Sequence, residues 1–270
     1  MEIREKIFAN LSSVKEKSPL IHLITNYVTV NDCANIVLAI GGSPVMADDL
    51  EEVAEMVGFA SALVLNIGTL NSRTIESMLV SGRRAKELGV PVILDPVGVG
   101  ATKLRTDTAE RIIKELKPEV IRGNMSEIKV LAGQNVAIKG VDSLADEQGG
   151  SIIARRFASE LGCVIAITGK TDVVSDGRQV CLLDNGHRIL ADVTGTGCMT
   201  SSLVATFCGA SNDYFTASVA GIISMGLAGE MAQASLHHGE GIGTFRARLF
   251  DSIYNLSPEI LAQEGKIRYE

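Results

Sequence analysis

The segment from Asp192 to Cys198 contains the residues whose types and spacing point most directly to chemistry. Gly195 and Gly197 allow a tight turn and close approach of a ligand to the backbone, because neither has a Cβ. The helical pattern that follows, Met199–Gly209, would aim the free N–H groups of its first turn at an anion. Cys198 lies in that turn, where a helix N-terminus can lower the pKa of a thiol. The segment predicts an anion-binding loop beside a reactive thiol, although a glycine-rich turn before a buried cysteine has the same pattern.

Two carboxylates, Asp95 and Glu127, are candidates for a magnesium site. Asp95 follows a predicted strand, and Glu127 lies three residues after Asn124. Carboxylate oxygens near a bound phosphate suit Mg²⁺, which they hold largely through its retained waters. Arg122 lies on the same segment and can offer a fork of donors to phosphate oxygens. Asn124 and Glu127 also match a helix capping box, so the residues alone leave both interpretations of Glu127 open.

The elements that must position these residues alternate regularly. Short continuous apolar runs predict strands at Leu20–Thr25, Leu63–Ile67, Val90–Leu94, Val120–Ile121 and Val164–Thr168. Helical patterns separate them at Glu2–Lys17, Val30–Ile40, Glu51–Val57, Ser72–Leu88, Thr106–Leu116 and Ser151–Leu161. This succession predicts an α/β fold whose mostly parallel sheet is covered by helices on both faces. Residues 1–270 contain no linker or internal repeat, which favours a single domain.

The pattern changes in the second half of the chain. Asp172–Ser175 and Gln179–Leu182 flank an Asp-Gly turn, which predicts a hairpin and an antiparallel edge on the sheet. From Gly195 onward the pattern is helical throughout. Tyr214–Leu236 is apolar enough to imitate a membrane span, but its small residues and Glu230 favour a buried helix of the core. We therefore expect no membrane association.

Polar residues follow five of the predicted strands. They are Thr25-Asn26, Asn66–Thr69, Asp95–Gly98, Arg122–Asn124 and Thr168–Lys170. Each group is also typical of ordinary turns. Because the carboxyl ends of parallel strands meet at one edge of a sheet, where such folds bind ligands, the set predicts a polar ligand site there.

Composition excludes several classes of protein. The 270 residues carry a net charge of −7, 4% aromatic residues and no Trp, which argues against nucleic-acid binding. The mean hydropathy of +0.23 indicates a substantial core. The five cysteines lack zinc or CxxC spacing, which indicates reduced thiols and a cytoplasmic location. No Walker A motif or dinucleotide fingerprint is present, whereas a cysteine hydrolase built on Cys198 stays open.

Several motifs together resemble the hydroxyethylthiazole kinase family of the ribokinase-like superfamily. They span nearly the whole chain: Ile24–Thr29, Asn31–Asn35, Gly41–Ala47, Leu65–Leu70, Leu94–Gly98, Arg122–Glu127 and Asp192–Cys198. The resemblance implies a three-layer sandwich, use of ATP and Mg²⁺, and phosphorylation of the primary alcohol of 4-methyl-5-(2-hydroxyethyl)thiazole in thiamine biosynthesis or salvage. It also implies a homotrimer whose substrate sites lie near subunit boundaries.

The resemblance also assigns roles to individual residues. Gly195, Thr196 and Gly197 would form the anion hole with Cys198 at the catalytic position, and the motif from Asn124 to Glu127 would organise magnesium, with Asp95 as the second carboxylate. Arg122 and Thr168 would contact ATP. Met46, Gly195 and Asn26 would bind the thiazole alcohol. Many ribokinase-like enzymes carry an aspartate base where this chain has Cys198, which leaves the role of the thiol open.

Other functions on the same fold remain alternatives at this stage. They are a hydroxymethylpyrimidine or pyridoxal kinase, an ATP-dependent dehydratase that repairs hydrated nicotinamide cofactors, and a non-catalytic nucleotide-binding regulator. Cys198 and the Ser43–Met46 segment argue against the first two classes, and the paired carboxylates argue against a regulator.

Overall fold

The computed structural model describes residues 3–133 and 143–270, in which one nine-stranded sheet runs through the molecule. The strands are β1 Leu20–Ile24, β2 Ser43–Val45, β3 Ala62–Asn66, β4 Val92–Asp95, β5 Val120–Asn124, β6 Val164–Thr168, β7 Asp172–Ser175, β8 Val180–Leu183 and β9 Ile267–Tyr269. Their order in the sheet is β2-β1-β3-β4-β5-β6-β7-β8-β9. The pairings from β2 to β6 are parallel and those from β6 to β9 are antiparallel, which confirms the predicted sheet.

Helices cover both faces of this sheet. They are α1 Ile3–Lys17, α2 Val30–Ile40, α3 Val53–Val57, α4 Ser72–Leu88, α5 Lys103–Leu116, α6 Met125–Leu131, α7 Ser143–Leu161, α8 Thr196–Ala210, α9 Tyr214–Ala234, α10 Ile242–Tyr254 and α11 Pro258–Glu264. A short 3₁₀ helix, Arg188–Asp192, precedes α8. One apolar core lies between the sheet and α1, α2 and α8–α10, and the other lies between the sheet and α3–α7. The strands between the two edges of the sheet are therefore buried on both sides, as their continuous apolar runs predict, whereas β2 and β9 are partly exposed.

The structure corrects the predicted elements at several points. Strand β2 was not predicted, because a three-residue strand is too short to show periodicity; it pairs with β1. The prediction of helix throughout the C-terminal part was wrong, since β9 pairs with β8 and forms the antiparallel edge of the sheet. The second hairpin strand is Val180–Leu183. Helix α7 begins at Ser143, eight residues before the predicted Ser151.

Helices α8 and α9 pack closely in the larger core. A Cβ on Gly221 of α9 would lie 2.7 Å from the backbone of Val204 on α8, so the small residue permits this approach. Within the described residues, α9 is the helix long and apolar enough to span a membrane, but 89% of its most apolar window is buried inside the domain. The helix is therefore part of the protein core, as predicted, and it ends at Ala234.

The parallel register brings the polar strand ends together. Asn66 at the end of β3 pairs with Asp95 at the end of β4. Asn124 at the end of β5 pairs with Thr168 at the end of β6. The predicted collection of polar residues therefore lies along one edge of the sheet, next to the segment that leads into α8.

Candidate functional site

The loop that begins α8 has the geometry of an anion-binding site. Gly195 is its N-cap residue with a left-handed φ of 86°, and a Cβ there would lie 2.5 Å from Thr29. Met199 N donates to Gly195 O at 2.8 Å, so the N–H groups of residues 196–198 precede the first donor within the helix. The hydroxyl of Thr196 donates to Leu190 O at 3.0 Å and ties the loop to the preceding 3₁₀ helix. The loop is held in place while its first-turn N–H groups stay available.

A buried cation lies directly against this loop. Arg122 on β5 is only 8% exposed, and its Nη2 donates to the hydroxyl of Thr168 on β6. Its Nη1 lies 3.9 Å from Asp95 Oδ2, and a Cβ on Gly197 would be 2.8 Å from the same Nη1. Only glycine therefore lets the helix N-terminus approach the guanidinium this closely. The structure brings together Arg122, Thr168 and Gly197, which the sequence predicted to share a site.

A cavity of about 510 Å³ opens beside Arg122 and the loop. Its polar lining includes Arg122, Thr168, Thr196, Gly197, Lys170 and Asp172. Leu190, Ile222 and Met225 add apolar surface. This combination fits a ligand with an anionic group and a flat apolar group. Sequence reasoning missed Met225 and Ile222, because a residue of an apolar helix looks the same whether it faces the core or a cavity.

Asp172 is a second residue of the cavity that the sequence did not single out. It is the first residue of β7, and its Oδ1 accepts a hydrogen bond from Gly169 N at 2.8 Å. Burial raises the pKa of this carboxyl to about 7, against the opposing effects of the Gly169 hydrogen bond and of Arg122. The hairpin pattern gave Asp172 a purely structural interpretation. In the structure its carboxyl is an ionisable group of the cavity lining, together with the predicted ATP residues Arg122 and Thr168.

Asp95 at the end of β4 is fully buried. Its Oδ2 accepts hydrogen bonds from Asn66 Nδ2 and from the hydroxyl of Ser201 on α8, both at 2.8 Å. Its Oδ1 has no hydrogen-bond partner in the part of the chain that the structure describes. Burial raises the pKa of Asp95 to about 6, and the positive charge of Arg122 counteracts this rise.

Glu127 completes a capping box at the start of α6. Asn124 Oδ1 accepts from Glu127 N at 2.9 Å, and Glu127 Oε2 accepts from Asn124 N at 2.8 Å. Its Oε1 accepts from Gly98 N at 2.9 Å. The capping interpretation is thus confirmed, and it coexists with a place near Asp95, whose pKa the Glu127 charge raises.

The two carboxylates fit magnesium held through water. Asp95 offers an oxygen without a hydrogen-bond partner among residues 3–133 and 143–270. Each oxygen of Glu127 accepts one N–H and keeps a lone pair for a further donor. Among the residues described, no group of three His, Cys, Asp or Glu side chains is arranged for direct ligation. This donor set suits Mg²⁺, which retains much of its water shell, better than a metal that needs a full set of protein ligands.

Cys198 lies above the same polar network. Its Sγ accepts hydrogen bonds from Asn26 Nδ2 and Asn66 Nδ2, each at 3.3 Å. The prediction of a lowered pKa was wrong: burial raises the pKa of the Cys198 thiol, and the negative charge of Asp95 adds to the effect. The hydrogen bonds that lower this pKa, from Thr29, Asn26 and Asn66, are the smaller effects. A raised pKa is the opposite of the thiol activation that a cysteine hydrolase needs, so this environment disfavours that alternative.

Two hydrogen bonds fix the side chain of Asn26. Met46 directly follows β2, at the edge of the sheet where the parallel strands end. Asn26 Oδ1 accepts from both the N–H and the hydroxyl of Thr29, at 3.1 Å each, which directs its Nδ2 to Cys198. Met46 follows β2, and its neighbour Ala47 accepts a hydrogen bond from the buried His22 Nε2 at 2.7 Å. Met46 is not part of the 510 Å³ cavity lining. The predicted ATP residues and the predicted alcohol residues therefore lie in two different parts of the site.

Comparison with known proteins identifies relatives along the whole chain. The family model of the hydroxyethylthiazole kinase family matches residues 11–259. The hydroxyethylthiazole kinase of Ruminiclostridium cellulolyticum is 52% identical, with 98% of each chain covered. That of Clostridium beijerinckii is 51% identical, with 99% of this chain and 98% of the relative covered.

Solved structures agree with the sequence comparison. The hydroxyethylthiazole kinase protein of Pyrococcus horikoshii OT3 superimposes with a TM-score of 0.89 at 37% identity, covering 98% of this chain and 99% of that one. The pyridoxal kinase of Staphylococcus aureus in complex with ADP has a TM-score of 0.60 at 14% identity, covering 78% and 88%. At that identity the second match supports the ribokinase-like fold alone.

The buried carboxylate leads to a prediction about stability and pH. Asp95 has a pKa near 6 when folded, raised from 3.8, so its ionisation costs the folded state about 3 kcal/mol above pH 6 and nothing below pH 4. Asp95→Asn removes this cost. Relative to the unsubstituted protein, the variant should therefore gain up to about 3 kcal/mol in free energy of unfolding between pH 4 and pH 7. Urea unfolding of both proteins at the two pH values measures the difference.

The matched control is Asp251→Asn, which removes an exposed carboxylate from α10. It accounts for the loss of one negative charge. The quantity compared is the change in free energy of unfolding between the two pH values. This change reports the titration of Asp95, whereas the absolute free energy also contains the loss of its charge near Arg122. A difference between the Asp95 variant and the unsubstituted protein that stays constant from pH 4 to pH 7 would show that burial does not raise this pKa.

Proposed function

Because the chain belongs to the hydroxyethylthiazole kinase family and is an ATP-using kinase of the thiamine pathway, we propose that its Gly195–Cys198 loop is the place of phosphoryl transfer. The acceptor is the primary alcohol of 4-methyl-5-(2-hydroxyethyl)thiazole. The observation that carries the proposal is the buried Arg122 guanidinium packed against Gly197 at the N-terminus of α8. A fixed cation and unpaired helix N–H groups converge on one point, which stabilises the charge of a phosphate in transfer.

ATP would bind in the cavity on the Arg122 side of the loop. Arg122 and Thr168 would contact its phosphates, and Leu190, Ile222 and Met225 would surround its base. Arg122 donates to Thr168 from Nη2 and has little contact with solvent, so its side chain needs little reorganisation when a phosphate arrives. Preorganised donors of this kind lower the barrier because no ordering takes place during the reaction.

Magnesium would be held by Asp95 and Glu127 through coordinated water. When bound, the ion neutralises phosphate charge and helps to orient the phosphoryl group. Two observations support this role. Asp95 Oδ1 has no hydrogen-bond partner among the residues described, and Gly98 N and Asn124 N hold the Glu127 carboxylate in place.

The alcohol would bind on the other side of the loop, near Asn26, Met46 and Gly195. Cys198 borders this side. The raised pKa of its thiol favours the neutral form, which already carries a proton and cannot accept one from the alcohol. Phosphoryl transfer has a loose transition state in which the acceptor proton leaves late, so a strong base is dispensable. We therefore assign Cys198 the role of a neutral group that shapes the catalytic position, held by the amides of Asn26 and Asn66.

A homotrimer is proposed because apolar residues next to the alcohol site face outward. Tyr27 is 79% exposed and Val28 is 58% exposed, directly after Asn26. Val30 and Leu38 of α2, the helix that follows, are also exposed apolar residues. Packing of this surface against another subunit would bury it and close the alcohol site at a subunit boundary. The proposed location is the cytoplasm, since all five cysteines are unpaired thiols.

The assembly can be tested by substitution at that surface. Wild-type protein should sediment as three 28.6 kDa chains, and Val28→Glu should shift it toward monomer and reduce turnover of the alcohol, because a charge cannot be buried there unpaired. Leu104→Glu, at a 52% exposed leucine of α5, is the control and should leave the mass unchanged. Sedimentation equilibrium at micromolar concentration measures both. A monomeric wild type would contradict the trimer.

The activity itself is tested with a panel of acceptors. With ATP and Mg²⁺, purified protein should phosphorylate the thiazole alcohol with a kcat/KM at least about tenfold above those for hydroxymethylpyrimidine and pyridoxal. Omission of Mg²⁺ should abolish the reaction, because the charges on the transferring phosphate are then not neutralised. Coupled ADP release measures both results. A preference for pyridoxal, or ATP hydrolysis that no alcohol stimulates, would overturn the assigned acceptor.

The role of Cys198 is tested by two substitutions. Cys198→Ser should keep substantial activity at reduced kcat, since Asn26 and Asn66 can donate to a hydroxyl as they do to the thiol. Cys198→Asp should keep less activity than Cys198→Ser, because a carboxylate beside the buried Asp95 adds negative charge opposite the incoming phosphate. Steady-state kcat for both variants, with Cys163→Ser at a thiol before β6 as control, measures the effect. An inactive serine variant together with a covalent adduct on wild-type Cys198 would favour thiol catalysis.

A further inference from the structure

We propose that Arg105 is a positioning residue that locks the alcohol side of the site to the magnesium side, a role that rests on the proposed function. Arg105 lies in the first turn of α5 and is half-buried. Its Nη1 donates to Val97 O and its Nη2 donates to Gly68 O, both at 2.7 Å. The two carbonyls belong to different loops, one after β4 and the other after β3, so one guanidinium joins the loops.

The loop after β3 carries the alcohol side. Gly68 N donates to Asn66 Oδ1 at 3.0 Å, and a Cβ on Gly68 would lie 3.0 Å from the Asn26 Cβ. Asn26 Nδ2 also donates to Asn66 Oδ1 at 3.0 Å. A shift of Gly68 would therefore move the two asparagines that hold Cys198.

The loop after β4 carries the magnesium side. It begins after Asp95, the last residue of β4, and Gly98 N donates to Glu127 Oε1 at 2.9 Å. Gly98 has a left-handed φ of 71°, and the Arg105 guanidinium occupies the space where a Cβ would lie. The Arg105 side chain thus fixes the turn whose N–H orients Glu127.

Arginine suits this place for geometric reasons. Its planar fork presents two N–H groups to two carbonyls at once, whereas a lysine ammonium is a single compact centre on a flexible stem. A backbone hydrogen bond from Ile67 N to Asp95 O at 3.2 Å joins the strand ends, and Arg105 links the two loops beyond that point. We infer that loss of Arg105 weakens the binding of alcohol and of magnesium together. The ATP cavity, which is built from Arg122, Thr168 and α9, should be affected less.

The experiment compares Arg105→Met and Arg105→Lys with Arg111→Met. Arg111 lies on the same helix, and its side chain is 48% exposed and paired with Glu115. Arg105→Met should raise both the KM for the thiazole alcohol and the half-saturating Mg²⁺ concentration about fivefold or more, with the KM for ATP changed less than about twofold. Arg105→Lys should restore part of this loss. The control variant should match the wild type in all three values.

A binding measurement accompanies the kinetics. The thiazole alcohol alone should raise the melting temperature of wild type and of Arg111→Met, and this shift should shrink in Arg105→Met. A lowered melting temperature with unchanged alcohol and magnesium dependence would reduce Arg105 to a structural residue and overturn the proposal. An equal rise in all three constants would overturn it as well. If Arg105→Met does not fold, the Arg105→Lys values decide by the same criteria.

Failure of the proposed function gives a different result. In that case the wild type would not turn over the thiazole alcohol at all, whatever residue stands at position 105. The role of Arg105 is then judged by the same constants for the alcohol that the wild type does phosphorylate.

Discussion

The buried carboxylate of Asp95 is the constraint on which the arrangement of the site depends. A carboxylate removed from water must be compensated, and Asp95 obtains Asn66, Ser201 and Arg122 from three different elements. Each of these partners also serves another part of the site. Asn66 donates to Cys198, Ser201 belongs to the helix that begins at the anion loop, and Arg122 lies against Gly197. Satisfying one buried charge therefore fixes the thiol, the helix and the cation relative to one another.

The charge of Asp95 is only partly compensated, which leaves groups of the site free to interact with a bound phosphate or metal ion. Arg122 is 3.9 Å from Asp95 Oδ2, beyond hydrogen-bond distance, and it directs a hydrogen bond to Thr168. Its charge thus stays available for a phosphate at the proposed ATP site. Asp95 likewise retains one oxygen without a hydrogen-bond partner within the described part of the chain, and the charge of Glu127 raises its pKa. Ionisable groups with perturbed pKa values are common at functional sites, because a bound ligand of opposite charge can compensate their charge.

Sequence patterns predicted most of the sheet and the edge that carries the site, because buried parallel strands and strand-end polar residues follow strong physical rules. Strands β2 and β9 escaped prediction since each has three residues and is stabilised by its neighbour in the sheet. The pKa of Cys198 depends on burial and on Asp95, which lies 103 positions away in the chain, so no local pattern contains it. The contribution of Arg105 was equally invisible, because it contacts two carbonyl groups, and every residue type has one. The functional roles assigned to all of the site residues, from Asn26 and Met46 to Arg122 and Cys198, stay predictions that their positions support.

A thiol at position 198 is consistent with this charge distribution. A carboxylate there would place a second negative charge beside Asp95, in a region from which the surrounding side chains largely exclude water. A neutral thiol occupies the same place, accepts the two asparagine N–H groups and adds no charge opposite an incoming phosphate. In the proposed mechanism the rate would depend on the fixed donors of the loop and on Arg122, since a strong base contributes little to a loose transition state. On this proposal the weak acidity of Cys198 follows first from the burial of the thiol itself and then from the charge of Asp95, the carboxylate proposed to hold magnesium.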